Sequence, residues 1–470
     1  MKEHVIKLER IQEPDKDCSG IPVCLSDETI QERKSKILNR MNEQGIEQLV
    51  IYGDVEHSGN FEYLIGYFTR FEEALLVINA TGDMTLILGN ENLNKASKAR
   101  VDVNAVHVSL FSLPNQPDRE DKNLKELLME AGIRENTRIG LVGWKLFTSK
   151  LENNKKIYDI PSYIVDTIRN IVGNEELLSN ETALFIGEGG ARITNNANEI
   201  AHYEYGAALA SDCMLDAMNK LKAGVTEMEL GDVMVRAGQH TSIVTIAASG
   251  PRFTKANMFP INNTVKIGDP ISLTVGYRGG ASSRAGYAVY SAEELPEGAK
   301  DYVERVAAPY FAAYTCWLED IRIGMNGKEL FNKIEAVLPR AEYHWYLCPG
   351  HLTAEEEWLS SPIYEESEEK LQSGMIFQID IIPSVPGYAG VSAESTVILA
   401  DDKLKAEIEA LYPEVWNRML KRKAYITDVL GIALSEDVLP MCSTVAYLRP
   451  YLLNKECAFV CLNRKAYTNI

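Results

Sequence analysis

The first part of the chain alternates short apolar runs with amphipathic segments. Residues 29–46 place Ile30, Ile37 and Met41 on one helical face, and Gly45 is a typical stop signal. A second helix is predicted over residues 124–133. Apolar runs bounded by turn residues predict strands at 48–54, 74–89, 106–111 and 138–144. This alternation predicts an α/β domain over residues 1–180.

Residues 181–470 have a different pattern, in which helices and antiparallel-type strands are segregated. Helices are predicted at 198–224, 226–238, 297–324 and 327–339, and Thr226 with Glu229 forms a capping-box pattern. Strands are predicted at 241–250, 271–276, 285–293, 374–385 and 393–400. This separation of the two element types predicts an α+β second domain over residues 181–470.

Length, charge and cysteine content indicate the number of domains, the kinds of partner and the cellular location. A chain of 470 residues is long enough for two domains, and its net charge of −19 disfavours nucleic acid and anionic membranes as partners. The polar N-terminal segment indicates no signal peptide, and we find no run of about 18 apolar residues that would predict a membrane span. Eight scattered cysteines without a CxxC pair favour reduced thiols and a cytoplasmic location.

Seven segments of the second half occur in an order that resembles a known family. They are EIAHYEYGAALA, LKAGVTEMEL, IAASGPR, IGDPISLTVG, CPGH, GMIFQIDIIP and AGVSAESTVIL. Together they resemble the creatinase/aminopeptidase P family, and residues 60–78 resemble its N-terminal domain. The resemblance implies an α+β C-terminal pita-bread domain, an α/β creatinase-like N-terminal domain, and a homodimer. The last 50 or so residues match least.

Metallopeptidases of this family hold two metal ions with two aspartates, one histidine and two glutamates, and a further histidine handles the substrate. In this sequence the first aspartate position corresponds to Thr274, and the second lies within 283–285. The histidine position corresponds to His351, and the two glutamate positions correspond to Asp380 and Glu394. The position of the further histidine corresponds to Asn257. Neither strand position carries an acid, so the charge and the bridge that paired hard cations need are both absent. These departures from the family's ligand set predict no metal cofactor, with one divalent ion on His351, Asp380 and Glu394 as a lesser alternative.

A histidine beside two carboxylates is a proton-transfer arrangement. We expect His351, Asp380 and Glu394 to be catalytic, in metal-independent hydrolysis of a C–N bond in a small polar substrate, such as an amino-acid derivative, an amidine or a guanidino compound. Creatinase is a family member that works without metal, although its histidine corresponds to Asn257 here. Two alternatives stay open, a non-catalytic pseudo-peptidase that binds a ligand and a mono-metal Xaa-Pro dipeptidase. His351 can also be a hydrogen-bonded core residue.

Six further residues are candidates for substrate binding: Asn257, Thr274, Arg284, Arg70, His344 and Trp358. Arg284 lies beside the vacant aspartate position, where a guanidinium can bind a substrate carboxylate with two hydrogen bonds. Arg70 lies where the family's N-terminal domain reaches toward a neighbouring subunit. Trp358 can line the site or pack in the core. The acidic run at 355–357 is expected to be a solvated loop.

Overall fold

The computed structural model describes residues 4–255 and 258–462 and divides the chain into two compact units. The N-terminal unit is Leu25–Ile193, and the C-terminal unit combines Met1–Cys24 with Thr194–Ile470. This division differs from the predicted boundary at residue 180. The first residues belong to the C-terminal unit because the strand Ile6–Arg10 pairs antiparallel with Cys457–Cys461.

The N-terminal unit is an α/β structure around one six-stranded mixed sheet. In sheet order its strands are Asn104–His107, Met84–Leu88, Ala74–Asn79, Gln48–Gly53, Ile139–Val142 and Leu178–Asn180. Its helices are Asp27–Gln44, Gly59–Ile65, Leu124–Glu130, Ser162–Val172 and Ala183–Ile186. The central strands are buried on both faces, which explains why they appear in the sequence as continuous apolar runs rather than as alternating ones.

The C-terminal unit contains three antiparallel sheets and a set of helices. A three-stranded sheet has the order Gly280–Tyr287, Pro270–Tyr277, Ile246–Ser249, and a four-stranded sheet has the order His351–Leu352, Ile376–Gln378, Thr396–Leu399, Val438–Pro440. The α-helices are Ala197–Lys220, Glu227–Met234, Pro251–Thr254, Ala308–Asp320, Gly327–Val337, Arg340–Tyr343, Asp402–Leu411 and Pro413–Ala424. No helix within the described ranges is long and apolar enough to cross a lipid bilayer.

The long helix Ala197–Lys220 supports the three-stranded sheet. It begins with a capping box in which Asn196 and Glu199 satisfy each other's backbone N–H groups. A Cβ at Gly206 would lie 1.8 Å from the carbonyl oxygen of Arg278, so glycine lets the hairpin turn pack directly on the helix. Gly279 in the same turn has φ +102°. This close approach fixes the two strands that carry Thr274 and Ser283.

Several predicted elements are shorter or shifted in the structure; the strand predicted at 374–385, for example, is Ile376–Gln378. The helix predicted at 297–324 is Ala308–Asp320, preceded by a π-helical turn at Val303–Ala307. The strand predicted at 285–293 instead spans Gly280–Tyr287. All eight residues of that strand are buried, including its serines and arginine, so no polar and apolar alternation marks it in the sequence.

Within the C-terminal unit, a buried ion pair joins Asp17, near the start of the chain, to Arg422 in the helix Pro413–Ala424. The guanidinium of Arg422 donates to both carboxylate oxygens of Asp17 at 2.7 Å and lies 2.7 Å from Glu204. Arg422→Ala leaves the carboxylate of Asp17 without its guanidinium partner, whereas Arg418 still donates to both oxygens of Glu204. We therefore expect a loss of about 3 kcal/mol of unfolding free energy in calorimetry or urea denaturation.

Arg10→Ala is the matched control. Arg10 pairs with Glu456 at 2.8 Å on the surface, where both side chains are mostly exposed. We expect this variant to cost less than about 1 kcal/mol. Equal losses in the two variants would contradict the importance of the buried pair.

Candidate active site

Three neighbouring strands of the four-stranded sheet bring together the three residues that were expected to be catalytic. His351 begins the first strand, Asp380 follows the second by two residues, and Glu394 precedes the third by two residues. One donor atom of each residue lies within 4.8 Å of the others, and all three side chains are buried. Adjacent antiparallel strands thus place residues far apart in sequence at the same end of the sheet.

Gln378 orients one carboxylate of this cluster. Its Nε2 donates to Glu394 Oε1 at 3.0 Å and to the carbonyl oxygen of Ala281 at 3.0 Å. Its Oε1 accepts a hydrogen bond from Thr396 Oγ1 at 2.5 Å. Because both ends of the amide are held, its donor group stays directed at Glu394.

The imidazole of His351 is held on three sides. Nδ1 donates to the carbonyl oxygen of Leu352 at 3.3 Å, and the ring stacks on Trp358 with 4.0 Å between centroids and 22° between planes. Nε2 lies 2.9 Å from Glu357 Oε1. This last contact is an ion pair when the ring is protonated.

Glu357 is the site residue that the sequence reasoning missed. The run at 355–357 was expected to be a solvated loop, and this expectation is wrong. Glu355 is buried and accepts a hydrogen bond from Tyr203 Oη at 2.6 Å, and Glu357 faces His351. The available signal was the position of three consecutive acids, Glu355 to Glu357, shortly after the predicted catalytic histidine.

The cluster holds protons more strongly than its isolated groups would. Burial opposes charging of the His351 ring, but the carboxylates of Glu357 and Asp380 more than offset it and raise its pKa above 6.5. Burial raises the pKa of Asp380 to about 6, although the ring of His351 opposes this shift. Burial, reinforced by Asp380 and Glu357, raises the pKa of Glu394 well above its ordinary value.

The strand positions next to the cluster do not fit a paired-metal centre. Thr274 and Ser283 are cross-strand partners, and their hydroxyl oxygens lie 2.8 Å apart in a mutual hydrogen bond. The N–H of Ser283 also donates to the main-chain oxygen of Glu394 at 3.3 Å, so these hydroxyls border the cluster. Two neutral hydroxyls supply neither the charge nor the bridging oxygens that two divalent ions need.

A single divalent cation does fit the donor set. His351, Asp380 and Glu394 offer one nitrogen and two carboxylates within one small volume. Nε2 of His351 has no well-formed hydrogen bond despite its burial, so a lone pair is available once the ring is neutral. This donor set weighs against the expectation that the protein uses no cofactor.

Arg284 is not the substrate clamp that the sequence suggested. Its side chain is fully buried, and its guanidinium donates to main-chain oxygens of Ser283, Glu394, Thr444 and Tyr447 and to the hydroxyl of Ser395. Successive residues of a strand point to opposite faces, so a serine directed at Thr274 turns Arg284 away from the cluster. With its donors already used, the guanidinium holds loop carbonyls together.

The other candidates for substrate binding have different outcomes. Trp358 lies against the catalytic cluster and is 40% exposed. His344 follows the helix Arg340–Tyr343 with φ 52°, and its contribution to the site stays a prediction. Arg70 belongs to the N-terminal unit, where its guanidinium lies over the ring of Phe71. Asn257 lies outside the described residues.

Sequence comparison identifies the type of domain that carries the cluster. The profile of metallopeptidase family M24 matches residues 201–401. An Xaa-Pro dipeptidase from Lactobacillus helveticus is 22% identical over 236 residues, which make up 48% of this chain. The match spans 62% of the length of that curated relative.

Solved structures share the fold over most of the chain. An Xaa-Pro dipeptidase from Bacillus anthracis has a TM-score of 0.60 and 16% identity over 80% of this chain and 96% of its own. A prolidase from Pyrococcus horikoshii OT3 has a TM-score of 0.60 and 18% identity, with 78% and 95% covered. An X-Pro aminopeptidase from Thermotoga maritima MSB8 has a TM-score of 0.59 and 18% identity over the same shares. The predicted α/β N-terminal and pita-bread C-terminal architecture is confirmed.

The raised pKa of Asp380 generates a prediction for stability against pH. The folded chain holds this proton up to about pH 6, whereas a free aspartate loses it near 3.8, so folding stability falls as the pH rises from about 4 to about 6. Asp380→Asn removes the penalty. In buffer with EDTA, we expect the variant to gain up to about 3 kcal/mol relative to wild type at pH 7 and nothing at pH 4.

Asp121→Asn, at an exposed loop position of the N-terminal unit, is the control and should show no such gain. Differential scanning calorimetry at pH 4, 5, 6 and 7 measures both differences. A gain that is constant across this range would show that Asp380 does not carry the penalty.

Proposed function

We propose that this chain, whose residues 201–401 match the profile of metallopeptidase family M24, is a hydrolase that cleaves a C–N bond in a small polar molecule. The reacting centre is the cluster of His351, Asp380 and Glu394, and it works by proton transfer rather than with paired metals. The observation that supports this proposal is the burial of an imidazole and two carboxylates within one small volume, each with a raised pKa.

The three groups can divide the proton transfers of hydrolysis among themselves. Above about pH 6 the Asp380 carboxylate can accept a proton from water as the water oxygen attacks the substrate carbon. Burial and the neighbouring carboxylates raise the pKa of Glu394, and its protonated form can donate a hydrogen bond to the oxygen or nitrogen on which charge develops. As the C–N bond breaks, the imidazolium of His351 can give its proton to the leaving nitrogen.

The substrate class is set by what the site offers. A buried cluster rich in carboxylates suits a neutral or cationic amide, amidine or guanidino group better than an anionic one. Xaa-Pro dipeptides are the first molecules to test, because dipeptidases and aminopeptidases of that specificity share the fold. A homodimer in which Arg70 reaches the neighbouring subunit remains part of the proposal.

One divalent cation is a second candidate for the same centre. It is favoured by the closeness of the three donor atoms and by the absence of a well-formed hydrogen bond at Nε2 of His351. Such an ion would be held by His351, Asp380 and Glu394 and would supply Lewis-acid polarisation of the scissile bond. The protein would then be a mono-metal dipeptidase.

Turnover tests the proposal. Wild type and His351→Ala are compared on a panel of Xaa-Pro dipeptides, amides, amidines and guanidino acids, in EDTA and with added Mn²⁺. We expect turnover in EDTA, with kcat rising through about pH 6 as Asp380 loses its proton, and a loss of about 10²- to 10⁴-fold in the alanine variant.

Asp121→Asn again serves as the control and should retain wild-type turnover. Activity that returns only with Mn²⁺ would favour the mono-metal candidate. Wild type that is inactive on the whole panel under both conditions would contradict the proposal and favour a binding protein that retains the fold.

A further inference from the structure

The segment 353–359, which follows His351, is a loop closed tightly at both ends. The N–H of Leu352 donates to the carbonyl oxygen of Ser360 at 2.7 Å, and the N–H of Leu359 donates back to Leu352 at 2.8 Å. Inside the loop, the carbonyl oxygen of Glu356 accepts from Thr353 Oγ1 and from the N–H of Ala354, each at 3.0 Å. The loop therefore leaves the sheet and returns to it within a few residues.

Two further contacts tie this loop to the hairpin turn and to the long helix, which pack closely on each other at Gly279 and Tyr203. The carbonyl oxygen of Ala354 accepts from the N–H of Gly279 in the hairpin turn at 2.7 Å. The carboxylate of Glu355 accepts from Tyr203, on the long helix, at 2.6 Å. With its ends closed and with Ala354 and Glu355 anchored, the loop leaves Glu357 and Trp358 little freedom to move away from the histidine.

Glu357 and Trp358 together enclose the ring of His351. Trp358 covers one face, Glu357 meets Nε2, and the main chain at Leu352 takes Nδ1. Glu357 is 20% exposed, whereas the histidine side chain has no exposed surface. A change at Glu357 can thus alter the ring's support without opening a large cavity in the core.

We infer that Glu357 is a positioning residue, which holds the imidazole of His351 in its working orientation through Nε2. This inference deepens the proposed function and rests on it for the effect on turnover. Without the carboxylate, Nε2 loses the ion-pair partner that lies 2.9 Å away, and the ring can turn about its Cβ–Cγ bond on Trp358. A proton donor displaced by about 1 Å loses much of its efficiency, since proton transfer depends on close alignment.

Ring position can be measured without any substrate. In protein labelled only at histidine, the ring protons of His351 should be displaced by the ring current of Trp358, and a His351→Gln variant assigns them. We expect Glu357→Ala to move these resonances toward the values of an unstacked histidine. Glu357→Gln keeps an acceptor oxygen and should restore most of the wild-type position. Glu356→Ala, one residue earlier in the loop, should leave them unchanged.

Turnover provides the second readout. On a substrate found for the wild type, we expect Glu357→Ala to lower kcat about 10- to 100-fold with KM within about twofold, and Glu357→Gln to recover part of the loss. Glu356→Ala should keep wild-type kcat. If the alanine variant fails to fold, Glu357→Ser removes the same contact with a polar side chain at this partly exposed position.

The two readouts separate failure of this inference from failure of the proposed function. Resonances of His351 that do not move in Glu357→Ala overturn the positioning role, whatever the turnover. Resonances that move while the wild type hydrolyses nothing on the panel support the positioning role and contradict the hydrolase. A fall in kcat that Glu356→Ala reproduces would assign the effect to the loop as a whole and overturn the inference.

Discussion

The electrostatics of the candidate active site depend on three carboxylates that lie close to one buried imidazole. Asp380 and Glu394 are buried beside His351, and Glu357 closes the group from the loop that follows the histidine. Like charges this close cannot all remain ionised in a site of low dielectric, so the cluster must hold protons or a cation. The raised pKa values of His351, Asp380 and Glu394 are the proton-bound solution to that constraint.

The same constraint is consistent with the neutral side chains on the two neighbouring strands. In a paired-metal peptidase of this fold, acids at those positions balance the charge of two ions. Here Thr274 and Ser283 hydrogen-bond to each other, so the strands add no negative charge to a cluster that already carries an excess. Arg284 stands on the opposite face and ties together main-chain oxygens of surrounding segments, including those of Glu394 and Thr444. Its role is structural, although its sequence position suggested chemistry.

The fold and the cluster of His351, Asp380 and Glu394 could be predicted from the sequence because the order of the family's motifs is recognisable even where individual ligand residues differ. It placed His351, Asp380 and Glu394 together, and the structure does the same. It failed at Glu357, because a run of acids ordinarily indicates a solvated surface and only tertiary contacts with Tyr203 and Gly279 hold this run inward. It failed at Arg284, because the register that turns the side chain away is set by pairing with the adjacent strand.

The number of divalent cations bound per chain tests the central claim most directly. Protein stripped with EDTA is titrated with Mn²⁺ and with Zn²⁺ by calorimetry, and the metal retained after desalting is counted by elemental analysis. A single His/carboxylate centre predicts no more than one ion per chain, and none in Asp380→Asn combined with Glu394→Gln. Two tightly held ions per wild-type chain would contradict the account, because they would require bridging ligands that the hydroxyls of Thr274 and Ser283 do not provide.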